Sequence, residues 1–466
     1  KAGETEGLLL LGTLKTVPGH TISVASETNL SLGKDDETSP LDSQVTADAV
    51  SLSSDSSINL AKGSLTTDAL ALKAGGHISQ TAGHAITAPT ANLEAAAGID
   101  LKSGAELDNQ KVFNDFQTVT VKNSSDAADV IIGSGGSKDL TVSFNNDSKA
   151  KNVTVRNYVN GAVNNLTVNG PVTVAEGISL INDEADLKTT GTLTVGSGRL
   201  HEYAAGALEN EDGLTGDEII LKSTKGMTNK SLIATNKVEL TAADDILNQG
   251  IVQAGTSVSM TSATGSITNK GDVKAKGGSV TMDAKTDLHN QGAVTASQSV
   301  KLKSDTGSIT NQGDVKAKDG SVDMDAKTDL HNLGMVKASQ DAGLTSGGSM
   351  TNDQAVTAGR NLTMTAGTTL TNGGDLTATT GSVNLQSGEA MSNTGAVTAG
   401  TSVTMTSAGS SITNQGDVEA RDGGVTMDAK TDLRNQGAVT GSQDVELTSG
   451  HNVHPHLSGL DIHQRQ

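Results

Sequence analysis

Apolar and polar residues alternate in short bursts along this chain. One stretch has Val258 and Met260, then Ile267, then Val273 and Ala275, and each burst has period two. Gly, Ser, Thr, Asn and Asp separate the bursts. Period two over three to five residues between turn-forming residues predicts short strands joined by tight turns, and it leaves no length for helices.

The bursts recur at a regular interval. Three 42-residue blocks, 257–298, 299–340 and 402–443, align without gaps, and the first matches each of the others at 32 positions. Each block contains two copies of a shorter unit with one Asn per unit, at spacings of 19 to 21 residues. These asparagines are Asn229, Asn248, Asn269, Asn290, Asn311, Asn332, Asn352, Asn372, Asn393, Asn414 and Asn435. A short period repeated this often predicts a solenoid.

Three strands in a unit of about 21 residues predict an all-β fold, a right-handed parallel β-helix. Each strand would stack on its copy one coil later, about 4.8 Å away. We therefore expect the ten intervals from Asn229 to Asn435 to extend about 50 Å and the protein to be a monomeric rod. A leucine-rich repeat has a similar period, but its L-x-x-L-x-L spacing and its return arm do not match this unit.

The repeated Asn has two interpretations. Stacked side-chain amides would hydrogen-bond along the axis and satisfy polar groups that are costly to bury. A ligand-binding row is the alternative, and it would require the same site in every coil. We favour the structural position, because the Asn-Gln-Gly and Asn-Lys-Gly tripeptides at this place are typical of corners.

The repeat quality divides the chain into four sections. Residues 1–107 carry a looser repeat of 20 to 21 residues, in which Val45, Leu65 and Ile86 are equivalent, and we expect its coils to start near residue 20. Residues 108–215 are an irregular β-helix section, and residues 216–447 are the regular β-helix. Residues 448–466 are predicted to be a disordered tail. Because the chain starts at Lys1, we expect a piece of a longer or processed protein.

The irregular section contains every aromatic residue of the chain. They are Phe113, Phe116, Phe144, Tyr158 and Tyr203. One interpretation is that they pack inside a coil of larger cross-section or against a flanking element. The other is that they form an exposed recognition patch. We favour packing, since a few rings in a hundred residues are mostly core, and we keep the five as interaction candidates.

Composition narrows the classes of function. Lys and Arg number 33 against 53 Asp and Glu, a net charge of −20, which disfavours nucleic acids and anionic membranes as partners. There is no Cys, and hence no thiolate metal site. No apolar run approaches the ~20 residues of a membrane span.

Residues with catalytic chemistry fall on the repeat itself. The Asp pairs 283 with 287, 325 with 329 and 428 with 432 come from three copies of one MDAKTDL segment, so we interpret them as a solvated edge. The segment GSGGSKDLTV at residues 133–142 resembles a calcium-binding nonapeptide. It occurs only once, whereas such a calcium site is made by stacked copies of the nonapeptide. Four His residues near the end of the sequence are candidate metal ligands, but we favour a disordered tail there. They are His451, His454, His456 and His463. We predict no catalytic, cofactor or metal residues.

Two segments resemble the repeats of the filamentous haemagglutinin family. They are VTAGTSVTMTSAGSSITNQGDV at residues 397–418 and ITAPTANLEAAAGIDL at residues 86–101. The resemblance covers most of residues 45–447. It implies a non-catalytic shaft of a virulence-associated adhesin, secreted to the surface of a Gram-negative bacterium by two-partner secretion. The implied partners are an outer-membrane transporter and a host or bacterial surface receptor.

The family's N-P-N-G-I and N-P-N-L secretion motifs are not in this sequence, nor is a C-terminal toxin, so the resemblance concerns the shaft. Two other functions remain open. One is a β-helical polysaccharide lyase or hydrolase with its site in residues 108–215. The other is the stalk of a contact-dependent growth inhibition toxin.

Overall fold

The computed structural model describes residues 7–34, 42–81, 84–102, 105–107, 110–158, 161 and 163–455. The chain divides into two units, Lys1–Ala234 and Thr235–Gln466. The described residues form strands and turns and no helix. In particular, no membrane-spanning helix is found among them.

The second unit consists of three parallel ladders of strands. Along the chain, successive strands belong to the first, second and third ladder in turn. The first ladder is made of five-residue strands: Val238–Ala242, Val258–Ser262, Val280–Ala284, Val300–Ser304, Val322–Ala326, Ala342–Ser346, Leu362–Ala366, Val383–Ser387, Val403–Ser407, Val425–Ala429 and Val445–Ser449. The second ladder is Ile246–Asn248, Ile267–Asn269, Leu288–Asn290, Ile309–Asn311, Leu330–Asn332, Met350–Asn352, Leu370–Asn372, Met391–Asn393, Ile412–Asn414, Leu433–Asn435 and Val453–Pro455. The third is Val252–Ala254, Val273–Ala275, Val294–Ala296, Val315–Ala317, Val336–Ala338, Val356–Ala358, Leu376–Ala378, Val397–Ala399, Val418–Ala420 and Val439–Gly441.

Each strand pairs with the equivalent strand one coil later. Met260 lies beside Met282, and Ile267 lies beside Leu288. The predicted parallel β-helix, with three short strands in each coil of the repeat length, is confirmed. The strands form where the period-two pattern places them because alternate residues then face a dry interior.

The interior of this unit is built mainly from Val, Leu, Ile, Met and Ala, with Asn and Ser at the ends of strands as its polar members. The five-residue strands bury their first, third and fifth residues, as in Val258–Ser262. Nine of the ten methionines of the chain are buried, and Met335 is 52% exposed. Because neighbouring coils differ little in size, side chains of similar volume stack in columns and fill the core.

Asp side chains at one corner of the coil form hydrogen bonds to the backbone of the next coil. Asp272 accepts a hydrogen bond at Oδ1 from the backbone N–H of Ala293, and Asp314 does the same for Met335. The same bond joins Asp375 to Ala396 and Asp417 to Ala438. A carboxylate in one coil thus caps the next. The Asp recurs after two coils from 272 to 314 and from 375 to 417, and after three coils from 314 to 375.

The first unit has the same architecture with less regular coils. Its strands are Leu8–Leu10, Gly12–Lys15, Thr21–Ser26, Leu30–Leu32, Ser43–Thr46, Ala49–Ser54, Ile58–Leu60, Gly63–Thr66, Ala69–Ala74, Ile78–Gln80, His84–Ala95, Ile99–Leu101, Ala105–Leu107, Gln110–Val112, Asp115–Asn123, Val130–Ser134, Leu140–Phe144, Lys149–Asn157, Leu166–Asn169, Val172–Asn182, Leu187–Thr190, Leu193–Val195, Arg199–Ala204, Leu208–Asn210, Leu214–Gly216, Glu218–Ser223, Met227–Asn229 and Leu232–Ala234. The predicted stack of Val45, Leu65 and Ile86 is confirmed.

The irregular section departs from the regular coil by lengthening it. Val130 pairs with Val153 and Val153 with Ile178, and both intervals are longer than any between paired strands of the second unit. Ile178 then pairs with Leu200 at an interval that the regular coils also use. The register also shifts between Ala150 and Asn152. An antiparallel hairpin of Ala105–Leu107 and Gln110–Val112 precedes these coils. These longer coils account for the loss of a constant spacing in the sequence.

Two expected limits of the coil lattice are corrected. Leu8–Leu10 already pairs with Leu30–Leu32, so the coils start before residue 20. Val453–Pro455 pairs with Leu433–Asn435, so the lattice also continues into the segment predicted to be a disordered tail. The period-two pattern does not reveal the first of these pairings, because Leu8–Leu10 is three leucines without alternation, of which Leu8 and Leu9 are exposed. His456 and His463 lie outside the described residues.

Candidate functional site

All eleven asparagines of the repeat are buried. From Asn248 to Asn414, each side-chain Nδ2 donates to the Oδ1 of the next Asn in the column, which ends at Asn435, over 2.6 to 2.8 Å. Each Nδ2 in this set also donates to the backbone carbonyl two residues later, as Asn311 does to Gly313 at 2.8 Å. Both amide functions are thereby used within the column.

The carboxylates of the MDAKTDL segments also bind the neighbouring coil. Asp287 Oδ1 accepts hydrogen bonds from the backbone N–H and the hydroxyl of Ser308, both at 2.8 Å. These bonds hold the pKa of Asp287 below its ordinary value. Asp329 accepts in the same way from the backbone of Ser349. An Asp held as a charged acceptor for its neighbour is poorly suited to transfer a proton.

The five aromatic residues separate into two groups. Phe116 and Phe144 are buried inside the coils. Phe113, Tyr158 and Tyr203 are half-buried. The rings of Phe113 and Tyr158 lie 5.9 Å apart, so they form a small cluster on the outside of the irregular section.

The irregular section also has a concavity on its outer face. It is a groove of about 440 Å³ on the outer face of the sheet formed by Lys149–Asn157, Val172–Asn182 and Arg199–Ala204. Its lining residues are Asp129, Asn152, Val153, Thr154, Gly177, Ile178, Ser179, Arg199 and His201. Outward residues of neighbouring coils stand side by side here, so the groove can be described as rows that run across the strands.

The first row follows the register Asn152, Gly177, Arg199, Glu218. Asn152 Nδ2 donates to Asp129 Oδ1 at 2.9 Å, while Arg199 donates from Nε and Nη2 to Glu218 Oε2 at 3.2 and 3.1 Å. Gly177 stands between these two pairs. A glycine inside a strand leaves the sheet surface without a side chain, and the groove is open at this position for that reason.

The second row is the floor of the groove. Thr154, Ser179 and His201 are aligned by the strand register, two residues along from the first row. Burial, followed by the charges of Arg199 and Lys222, lowers the pKa of His201. A neutral imidazole at pH 7 has one donor and one acceptor nitrogen, and the two hydroxyls both donate and accept.

The third row lies at the border of the groove and consists of Arg156, Ile181 and Tyr203. Arg156 forms an ion pair from Nε to Asp183 Oδ2 at 2.7 Å, and its guanidinium carbon lies 4.8 Å from the ring centre of Tyr158. The groove itself is lined by the first two rows, and the third row, which includes Tyr203, lies next to its floor on the same face.

Sequence reasoning found the aromatic residues of this face but missed the polar ones. The signals that could have located them are the broken coil spacing and Gly177 within a strand-like segment. The described residues also contain no group of three His, Cys, Asp or Glu able to hold a metal ion.

A family model described as the haemagglutinin repeat matches residues 41–111, 203–277, 261–318 and 319–378, more than half of the chain. The chain belongs to the haemagglutinin repeat family. This match confirms the resemblance inferred from the repeated units. No curated protein and no solved structure matches the chain.

The haemagglutinin repeat matches flank the groove. One matched segment ends at residue 111 and the next starts at residue 203, so residues 129–201, which contain the lining of the groove, lie between them. The groove is thus a feature of the coils that depart from the repeat, whereas the Asn column belongs to coils that follow it.

Proposed function

We propose that this chain is the non-catalytic shaft of a secreted bacterial adhesin. The observation that carries the proposal is the coincidence of haemagglutinin repeats with coils whose buried polar groups bond to the adjacent coils. A coil that depends mainly on its neighbours can be added or removed without redesigning a common core. Such an architecture suits a protein that must hold a binding region at a distance.

The proposal includes the place where the shaft acts. Haemagglutinin repeats support export through a two-partner outer-membrane transporter and display at the surface of a Gram-negative bacterium. The partner on the other side is a glycan or protein receptor on a host cell or a neighbouring bacterium. The stalk of a contact-dependent growth inhibition toxin is the same architecture with a different cargo, and the parent gene distinguishes the two.

Cell binding tests the adhesive part of the proposal. Beads coated with the full chain are mixed with epithelial cells, erythrocytes and Gram-negative bacteria, and bound beads are counted. Beads coated with an unrelated acidic β-solenoid are the control for net charge and shape. We expect more binding than the control to at least one cell type. Binding at the level of the control for every cell type would contradict an adhesive role for this chain.

A polysaccharide lyase or hydrolase remains the second candidate, because the groove with Asp129 and Arg199 lies in the section where the sequence analysis placed such a site. The assay is release of reducing sugar or unsaturated uronate from pectin and from host glycans. We expect none above the background of a heat-treated sample. Release that disappears in Asp129→Asn would replace the shaft proposal with an enzymatic one.

A further inference from the structure

We propose that the outer face of Lys149–Asn157, Val172–Asn182 and Arg199–Ala204 binds a neutral oligosaccharide in the groove between Asp129 and Arg199. This inference goes beyond the shaft role, since a shaft needs no groove. It assigns a ligand class to residues that differ from the repeated lattice.

The spacing of the polar groups matches a ligand with many hydroxyls. Neighbouring coils place Thr154, Ser179 and His201 about 4.8 Å apart, and the row that contains Asn152 and Arg199 runs roughly 7 Å away from them. Hydroxyl, amide, carboxylate, imidazole and guanidinium groups all face the same concavity. A sugar both donates and accepts through each hydroxyl, so this mixed set of partners fits it.

The groove is prepared for such a ligand by two local departures from the lattice. The register shift between Ala150 and Asn152 changes the alignment of this strand with its neighbour, and Gly177 removes a side chain from the centre. A Cβ at Gly177 would lie 3.1 Å from Asn152 Oδ1. The opening of about 440 Å³ is within the range of small-ligand sites.

The charges favour a neutral sugar over an acidic one. Arg199 is paired with Glu218, and Arg156 is paired with Asp183, so both guanidinium charges are largely compensated. Asp129 adds a carboxylate whose Oδ1 accepts from the amide of Asn152. An acidic sugar would be repelled by this carboxylate, whereas the hydroxyls of a neutral sugar can donate to it.

Tyr203 and Ile181 lie just outside the lining of the groove, so they offer apolar surface to a ligand that extends past His201. Tyr203 and Ile181 lie beside His201 and Ser179 on the same outward face, and Tyr158 lies next to Arg156. The C–H face of a pyranose ring packs on an aromatic ring while its hydroxyls reach the floor. Half-buried aromatic side chains offer large contact areas at a low cost in conformational entropy.

The experiment uses the full chain on a printed array of neutral and acidic oligosaccharides, followed by calorimetric titration with the free sugars that bind. The variants are Gly177→Val, which fills the groove, and Asp129→Ala, which removes an exposed acceptor. The matched control is Gly343→Val, another outward glycine in the middle of a strand, whose added Cβ would have its nearest neighbour, Asp323 Oδ1, at 3.5 Å. Circular dichroism checks that each variant keeps its β structure.

We expect the wild type and Gly343→Val to bind the same neutral oligosaccharides, and Gly177→Val and Asp129→Ala to bind them at least tenfold more weakly. Three results would overturn the inference: no oligosaccharide is bound, only acidic ones are bound, or folded Gly177→Val and Asp129→Ala both bind like the wild type. If Gly177→Val does not fold, Asp129→Ala decides alone. Beads that still bind cells while carrying Gly177→Val would retain the adhesin proposal and show that cell binding does not depend on this groove.

Discussion

Replacing one asparagine of the buried column tests how the coils are held together. Asn311→Ala removes three side-chain hydrogen bonds: those donated to Gly313 O and Asn332 Oδ1 and the one accepted from Asn290 Nδ2. Each buried bond contributes about 1 kcal/mol net, and polar groups left unsatisfied add to the loss. We therefore expect a destabilisation of about 3 kcal/mol.

The assay is urea-induced unfolding followed by far-UV circular dichroism, with Thr310→Ala as the control. Thr310 faces outward on the same strand and is half-buried. We expect the control to lie within about 0.5 kcal/mol of the wild type, as is usual for surface substitutions. Equal midpoints for Asn311→Ala and Thr310→Ala would refute a stabilising role for the column.

A double substitution tests whether the column bonds are the cause. Asn290 and Asn311 share one hydrogen bond, so Asn290→Ala with Asn311→Ala should cost about 1 kcal/mol less than the sum of the two single changes. Asn290 and Asn372 share none of the column bonds, and that pair should be additive. If both pairs deviate from additivity by the same amount, the substitutions destabilise the coils in general and the shared hydrogen bond is not the cause.

Three further predictions concern the core and the repeat. Burial raises the pKa of Glu202 from 4.5 to about 8, so folding stability should be fully present below pH 4.5 and fall as the pH rises through 8. Glu202→Gln should remove this loss and raise the free energy of unfolding at pH 9 by roughly 3 to 5 kcal/mol. The measurement is the urea midpoint of both proteins at pH 4.5 and 9, and the same pH dependence in both would contradict the prediction. Val403→Asp places a charge in the dry interior and should lower the free energy of unfolding by several kcal/mol. The control is Thr404→Asp, whose side chain faces outward and which should melt near the wild type. Equal melting temperatures for the two variants would argue against this core. Deleting residues 299–340 removes two whole coils and should leave a folded protein with unchanged ellipticity per residue, so loss of the cooperative melt would count against a nearest-neighbour solenoid.

The repeated coils were predictable because each one contains the information for its own pairing. In the second unit, Val258, Val280 and Val300 occupy one column, and the sequence places each of them about one repeat after the last. A single register buries every apolar position, and a slip of one residue would expose them all. The same reasoning placed Val45, Leu65 and Ile86 in one column of the looser first section, where the structure pairs them.

Other features could not be predicted, because they depend on which residues the coils bring together. The sequence contains Asp272 and Ala293, but only the stacked corners show that the carboxylate of one accepts the backbone N–H of the other. The aromatic residues illustrate the same limit, since Phe116 is buried while Phe113 lies half-exposed. Inward and outward positions differ by one residue, and an irregular spacing does not show which is which.

The sequence alone determined the fold class, the coil length and the column positions of the regular part, since a repeated period-two pattern has only one stacking that hides its apolar side chains. Only the tertiary structure decided where the lattice opens into the groove between Asp129 and Arg199. That opening depends on coils longer than the regular repeat, on the shift beside Asn152 and on a missing side chain at Gly177. These features have meaning only once the neighbouring coils are in place, because the residues of the groove come from different coils.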